Sequence, residues 1–509
     1  MDSTRFVFFD FNGKRWNQVR LTTLLGAAII LVFVVVFIRA VLVLPKLGAA
    51  EALPRPESGF NITTRSQEFV PLSPSPPHWL RQKSGDSIKP LVPRNPPSAE
   101  EPVFLAFYAP WKTAGFESLK AHYRKISHLA PEWFSMKSFA QPLVASHDQQ
   151  IADFSAATGV KLLPQLSNLD DSVWQPEIVE DLARQPEKRP PFFEKLKEAL
   201  QAMDATGVVI DWQQIDPVYR NELTSLLSDL AHYLHAEQLE LWLCIPVGND
   251  IAVFDLDALA GVVDRFVALL YDENGEEDSA GPTASLPWWN EWLEVLLEHG
   301  DPKQWVIGIG NYGYDWPEGG VAATLSFEDA MARARLAGTQ TVSVEPPLYQ
   351  PHFSYEESGV LHSVWFLDAV TFRNQYATAL SKRVGGVALY RLGQEDAALW
   401  TVMNKPGPVP NALELLAPAD TVANIGQGDV LTAIHQPEPG RRRITAPIAA
   451  PWQARYEKFP TYPLLYHRGA STDQVVLSFD DGPDPVWTPL LLDILKACLL
   501  YTSSAHDPQ

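Results

Sequence analysis

The sequence predicts an α/β protein built on a (β/α)8 TIM barrel, with a transmembrane helix before the barrel and a short further (β/α) segment after it. Three observations carry this prediction. Between residues 101 and 405, eight apolar runs rich in β-branched residues alternate with helical patterns, as in a closed parallel barrel. A hydrophobic run at 21–44 is long enough to cross a bilayer. After a Pro-, Gly- and Ala-rich stretch, residues 471–496 read as one strand followed by one helix.

The elements follow in chain order. Residues 1–20 carry Lys14, Arg15 and Arg20 just before the hydrophobic run, which predicts a cytoplasmic N-terminus and an exported remainder. Within 21–44 the one charge, Arg39, lies near the far end, where a long side chain reaches the interface. A cleaved signal peptide is the rival reading, with Gly48-Ala49-Ala50 as the cut. Residues 45–100 are Pro-rich, with Ser73-Pro74-Ser75-Pro76-Pro77 and Pro96-Pro97, and form a semi-rigid spacer.

The eight barrel runs are Val103–Trp111, Ile126–Met136, Lys161–Asn168, Gly207–Ile215, Leu239–Gly248, Arg265–Asn274, Trp305–Trp316 and Gly386–Asp396. Continuous apolar character marks strands buried on both faces. Helical patterns include Phe192–Ala205, Val218–His235, Leu286–His299 and Trp365–Lys382, and 339–362 reads as a small insertion before the last helix. The fourth run ends in Asp211 and Gln213, spaced to project from one side of a strand at the end where barrels carry their chemistry. Asp216-Pro217 just beyond supplies a cap and first helical position, so Asp211 is not needed for that task.

Residues 406–470 read as an interdomain linker with room for a short hairpin, and Arg441-Arg442-Arg443 within it as a solvated surface. The strand at 475–479 then delivers Asp480 and Asp481 into Gly482-Pro483. Two such carboxylates can divide labour, one holding a divalent metal and one acting as base on metal-bound water. The tail 497–509 continues neither the strand nor the helix pattern, and the sequence reads as a truncated fragment.

Composition narrows function. A net charge of −21 argues against nucleic acid as a partner. Two cysteines, Cys244 and Cys498, give no disulfide framework and no metal cluster, and Cys244 sits in an apolar run as a core residue. No Gly-x-Ser-x-Gly elbow and no phosphate-binding Gly-rich loop occurs. Aromatic residues make up 11% of the chain, which suits stacking on sugar rings as well as core packing. Tyr108, Trp111, Trp133, Trp212 and Trp365 fall near predicted strand ends.

Several barrel segments together resemble glycoside hydrolase family 18, the chitinase-like family. Gly207–Gln213 lies where the family carries Asp-Gly-x-Asp-x-Asp-x-Glu. Leu269-Leu270-Tyr271-Asp272 resembles its Met-x-Tyr-Asp. Gly308–Trp316, ending in Gly-Asn-Tyr-Gly-Tyr-Asp-Trp, resembles its seventh strand, and Gly385–Tyr390 its eighth, with Tyr390 where a Trp is usual. The resemblance implies substrate-assisted cleavage, in which the sugar's own acetamido group is the nucleophile. By that likeness Asp211 orients the acetamido group and Tyr271 helps hold it. Tyr108, Trp111, Asp272, Tyr312, Trp365 and Tyr390 would contact the substrate, an N-acetylated polysaccharide or oligosaccharide. The acid position is occupied by Gln213, and the earlier acidic positions by Thr206 and Val209. A Gln side chain has no acidic proton, and losing general acid catalysis costs roughly 10²–10⁴ in rate. Glu132, Asp216 and Glu222 are the carboxylates at hand for rescue. The barrel itself is expected to need no cofactor.

Ser478-Phe479-Asp480-Asp481-Gly482-Pro483 resembles the first motif of the polysaccharide deacetylases of carbohydrate esterase family 4, the NodB-homology domain. The likeness implies Asp480 as base and Asp481 as ligand of a divalent metal, usually zinc. The His-x-x-x-His pair that completes the family's site is not in this sequence. The order of anchor, spacer, barrel and deacetylase resembles large bacterial envelope fusions that continue into a glycosyltransferase. It implies a single-pass protein of the bacterial inner membrane with its bulk periplasmic or extracellular. Three functions remain in contention: an enzyme on N-acetylhexosamine polymers, a non-catalytic glycan-binding module, and a spacer that binds nothing.

Overall fold

The computed structural model describes residues 102–497, apart from 111–112, 140–141, 171–172, 340, 404–408, 419–422, 426–429, 433–436, 462–463 and 469–486. The predicted anchor at 21–44, the spacer at 45–100, Trp111, Asp480 and Asp481 lie outside the described residues. The helix expected after the Asp-Asp turn is present as Trp487–Ala497. No helix among the described residues is long and apolar enough to cross a membrane.

Eight parallel strands close into a barrel: Val103–Tyr108, His128–Pro131, the pieces Lys161–Leu162 and Gln165–Ser167, then Gly207–Asp211, Glu240–Pro246, Arg265–Leu269, Trp305–Gly310 and Gly386–Tyr390. Each lies within one of the eight predicted runs. The third strand closes the ring, because Lys161–Leu162 pairs with the second strand while Gln165–Ser167 pairs with the fourth.

The period-two alternation of a strand explains why these runs are apolar throughout. Leu105, Phe107, Ala130, Leu163, Val209, Trp242, Cys244, Val267, Val306 and Ala388 fill the barrel interior as one cluster. Their neighbours in sequence, such as Phe104, Ala106, Leu129, Val208, Ile210 and Phe266, pack outward against the helices in another. Cys244 is thus a buried core residue, as expected. Asp216 caps the turn after strand four, accepting from the Val218 backbone N–H at 2.9 Å.

Three of the predicted helices occur with ends shifted by a few residues, as Arg189–Ala202, Arg220–Ala236 and Leu286–Leu296. The fourth differs in kind. It spans Ala369–Ser381, and Trp365 belongs to the strand Val360–Phe366 before it. Asp368 sets the boundary, because its carboxylate accepts from the backbone N–H groups of Val370 and Thr371. The insertion is also larger than 339–362. It begins at Gly313–Pro317 and forms a four-stranded antiparallel sheet with Ala323–Leu325, His352–Glu357 and Val360–Phe366. Residues 313–317 looked like a continuation of barrel strand seven because both are apolar and aromatic.

Part of the stretch read as linker joins the folded body. Gly440–Thr445 and Gln453–Lys458 form a hairpin that pairs with Ser343–Val344 and Leu415–Leu416. Arg441 and Arg443 are exposed, as expected, but Arg442 is fully buried. The hairpin's alternation turns the middle arginine inward, where its Nη1 meets Asp396 at 2.5 Å and Asp368 at 3.1 Å.

Candidate active site

Asp211 closes strand four on the same face as Val209, at the mouth of the barrel. It is 8% exposed. Gln165 at the end of strand three donates to its Oδ2 at 2.7 Å, and Gln213 donates to its Oδ1 at 2.8 Å. Asn168 clamps the Gln213 main chain from both sides, accepting from its N–H at 2.9 Å and donating to its carbonyl at 3.0 Å. Burial raises the Asp211 pKa, and the two amide donors oppose that shift. Among the described residues no cation pairs with this carboxylate.

An aromatic wall rises from strands six, seven and eight. Tyr271 and Tyr390 stack at 5.3 Å, and Tyr312 meets both edge-on at 6.1 and 6.0 Å. Tyr314 meets Tyr312 at 5.4 Å and Trp316 at 5.3 Å. Gly310 makes this wall possible, because a Cβ there would lie 2.7 Å from the Tyr312 ring and 2.8 Å from Tyr271 Cβ. Asp272, in a left-handed turn with φ 61°, accepts from the hydroxyls of Tyr312 at 2.5 Å and Tyr314 at 2.9 Å. Burial pushes the Tyr271 hydroxyl pKa well up, and the nearby Asp211 and Asp272 charges add to the rise. Trp365 pairs across the insertion sheet with Tyr314 and with His352, on whose ring it stacks at 4.0 Å.

Asp211, Gln213, Tyr271, Asp272, Tyr312, Trp365 and Tyr390 therefore meet at one mouth. Tyr108 does not join them. It is 3% exposed and sits on the outward face of strand one, in the layer between strands and helices, so it is a packing residue. Trp133 and Trp212 are buried in the same layer. Asp216 and Glu222 are exposed, the first spent on its cap. Of the earlier acidic positions, Val209 is interior core, and Thr206 donates its hydroxyl to the Leu162 carbonyl at 3.0 Å. Gln165 and Asn168 escaped the sequence reading, although they carry the same signal as Asp211, polar residues ending an apolar run.

Glu132 is a further carboxyl near Asp211 among the described residues. Burial pushes its pKa up to about 7, against the pull of Arg391 and with a further push from Asp211. The Arg391 guanidinium stands 3.9 Å from its Oε1, too far for a hydrogen bond.

Residues 103–395 match the model of glycosyl hydrolases family 18. The chain belongs to this family. A Bacillus subtilis protein named as a sporulation-specific glycosylase is 25% identical over 256 residues, 48% of this chain and 59% of its own. The cortical fragment-lytic enzyme of Bacillus cereus is 21% identical over 264 residues, 48% of this chain and 60% of its own. The chain thus spans less than two thirds of the length of these relatives. The crystal structure of a chitinase from Chromobacterium violaceum shares the fold, with a TM-score of 0.55 at 22% identity over 59% of this chain and 98% of that one. The matched span contains the strand-four, strand-six and strand-seven segments that meet at the mouth.

Proposed function

We propose that the barrel binds N-acetylated hexosamine polymers at its mouth and cuts them slowly. This reading rests on the Asp211 carboxylate, which two amides hold and no cation among the described residues neutralises. Two donors leave lone pairs on a carboxylate free to accept an acetamido N–H. The Tyr271–Tyr390 stack supplies an apolar surface beside it. Gln213 can donate a hydrogen bond to a glycosidic oxygen but has no proton to give up. The names of the relatives, a chitinase and a cortical fragment-lytic enzyme, fit a polymer of N-acetylated sugars.

Titrating chitotetraose into the full chain by calorimetry, beside Gln213→Glu, tests this. Binding by both is expected, with turnover rising by about 10²-fold or more in Gln213→Glu. Turnover by the unaltered chain at rates usual for enzymes, or no binding by either protein, overturns the proposal.

The same proposal places the barrel outside the cell membrane. The hydrophobic run 21–44, with Lys14, Arg15 and Arg20 before it, supports a single anchor in a bacterial inner membrane, and the Pro-rich 45–100 a spacer. The motif at 478–483 supports the start of a zinc-dependent deacetylase with Asp480 as base and Asp481 as metal ligand, acting on the polymer that the barrel holds. In this arrangement the chain is the front of a larger exopolysaccharide-handling protein.

A further inference from the structure

We propose that Glu132 is the proton donor of this barrel, supplying at strand two what Gln213 cannot supply at strand four. The inference rests on the preceding reading of the mouth as a site for N-acetylated glycan.

Strand alternation places Glu132. His128 packs against the interior Trp242 ring, and Ala130 belongs to the interior cluster, so position 132 turns to the same inner face. The neighbouring strand carries Leu163 and Gln165 inward in the same way, and Gln165 reaches Asp211. Strand two pairs His128 with Lys161 and Leu129 with Leu162, and Phe134, two residues beyond Glu132, pairs with Leu166, next to Gln165, so Glu132 and Gln165 come to the same end of neighbouring strands. The Glu132 backbone is tied down by its N–H bond to the Tyr108 carbonyl at 3.0 Å. Its side chain is only 19% exposed.

The groups facing Glu132 are Asp211 from strand four and Tyr390 and Arg391 from the end of strand eight. Its Oε1 is buried and makes no hydrogen bond among the described residues. A carboxylate kept for structure would be capped or paired, as buried acidic groups ordinarily are. This one meets its cation only in a loose ion pair at 3.9 Å, beside a second negative charge, in surroundings that favour the neutral acid. A carboxyl with a pKa of about 7 is half protonated at neutral pH, the condition for a general acid there.

The step balances without any other reactant than water. The Glu132 proton passes to the glycosidic oxygen, the C1–O bond breaks with its electrons going to that oxygen, and the acetamido carbonyl oxygen closes on C1. Asp211 holds the acetamido N–H during closure. Water then adds its hydroxyl to C1, the ring opens, and the second water proton returns to Glu132.

Glu132→Gln in the full chain tests the assignment, with chitotetraose and the 4-nitrophenyl glycoside of diacetylchitobiose as substrates. The phenolate leaves without protonation. The variant is expected to lose about 10²-fold or more on chitotetraose while keeping its binding and its first-turnover rate of 4-nitrophenolate release from the aryl glycoside. The unaltered chain is expected to lose chitotetraose turnover tenfold per pH unit above about pH 7, where the acid form runs out. Retention of the aryl rate also shows that the variant is folded. Equal losses on both substrates, an unchanged chitotetraose rate, or binding without any turnover by the unaltered chain overturns the role of Glu132 and leaves the reading of the mouth as a glycan-binding site standing. Loss of binding in the unaltered chain overturns both.

Discussion

Two sets of buried carboxylates in this molecule are treated in opposite ways. At the junction of barrel and hairpin, Asp368 and Asp396 share the Arg442 guanidinium, and Tyr456 donates its hydroxyl to Asp368 at 2.9 Å. Arg442 Nε donates in turn to the Leu413 carbonyl at 2.7 Å, and Asp396 also caps the Ala369 N–H at 3.0 Å. Charge meets charge, and the network ties helix Ala369–Ser381, the loop after strand eight and the hairpin together. At the barrel mouth Asp211 has, among the described residues, two neutral amide donors and no cation, and Glu132 has a cation at arm's length. Burial alone does not separate structure from function. Compensation does: a carboxylate hydrogen-bonded to a cation stabilises the fold, whereas one without such a bond stores unfavourable desolvation that a ligand can relieve.

The sharpest way to break this comparison is Arg442→Ala. It strands two carboxylates in the interior and is expected to destabilise the folded body by about 3–5 kcal/mol, read as a lowered midpoint in urea unfolding. A shift near zero would mean that the two sets do not differ. Asp211→Asn should do the reverse. Removing an uncompensated buried charge leaves the midpoint unchanged or raised, while chitotetraose affinity falls by about 10- to 100-fold through loss of a charge-assisted hydrogen bond of roughly 1.5–3 kcal/mol. A large fall in stability with affinity intact would recast Asp211 as structural. The smallest effect is expected from Gln165→Leu. One of two donors is lost, about 1 kcal/mol, so affinity falls a few-fold by calorimetry while the fold holds. It sharpens the comparison by showing how much of Asp211's orientation depends on strand three.

The barrel strands were legible because each is apolar on both faces, and a run such as Val103–Tyr108 cannot be satisfied at a surface. Asp211 was legible for the same reason, since a charge ending such a run stands out. Trp365 was misplaced because an apolar strand running into a capped apolar helix leaves no compositional seam, and the break is made by the Asp368 side chain. Three adjacent arginines look alike in one dimension, so the sequence predicts all of Arg441-Arg442-Arg443 as solvated surface. Only hairpin alternation, and two aspartates 74 and 46 residues away, single out the middle one.

The sequence by itself determined the family and the eight-strand order, both of which depend on residue type and local period. Tertiary structure alone decided which polar groups share a space. It withdrew Tyr108 into the packing layer, brought Gln165 onto Asp211 and set Glu132 on the inner rim facing Arg391. Closure of the barrel is the reason. It brings strand eight beside strand one and sets strands two, three and four side by side at a single mouth, and no local pattern carries that adjacency.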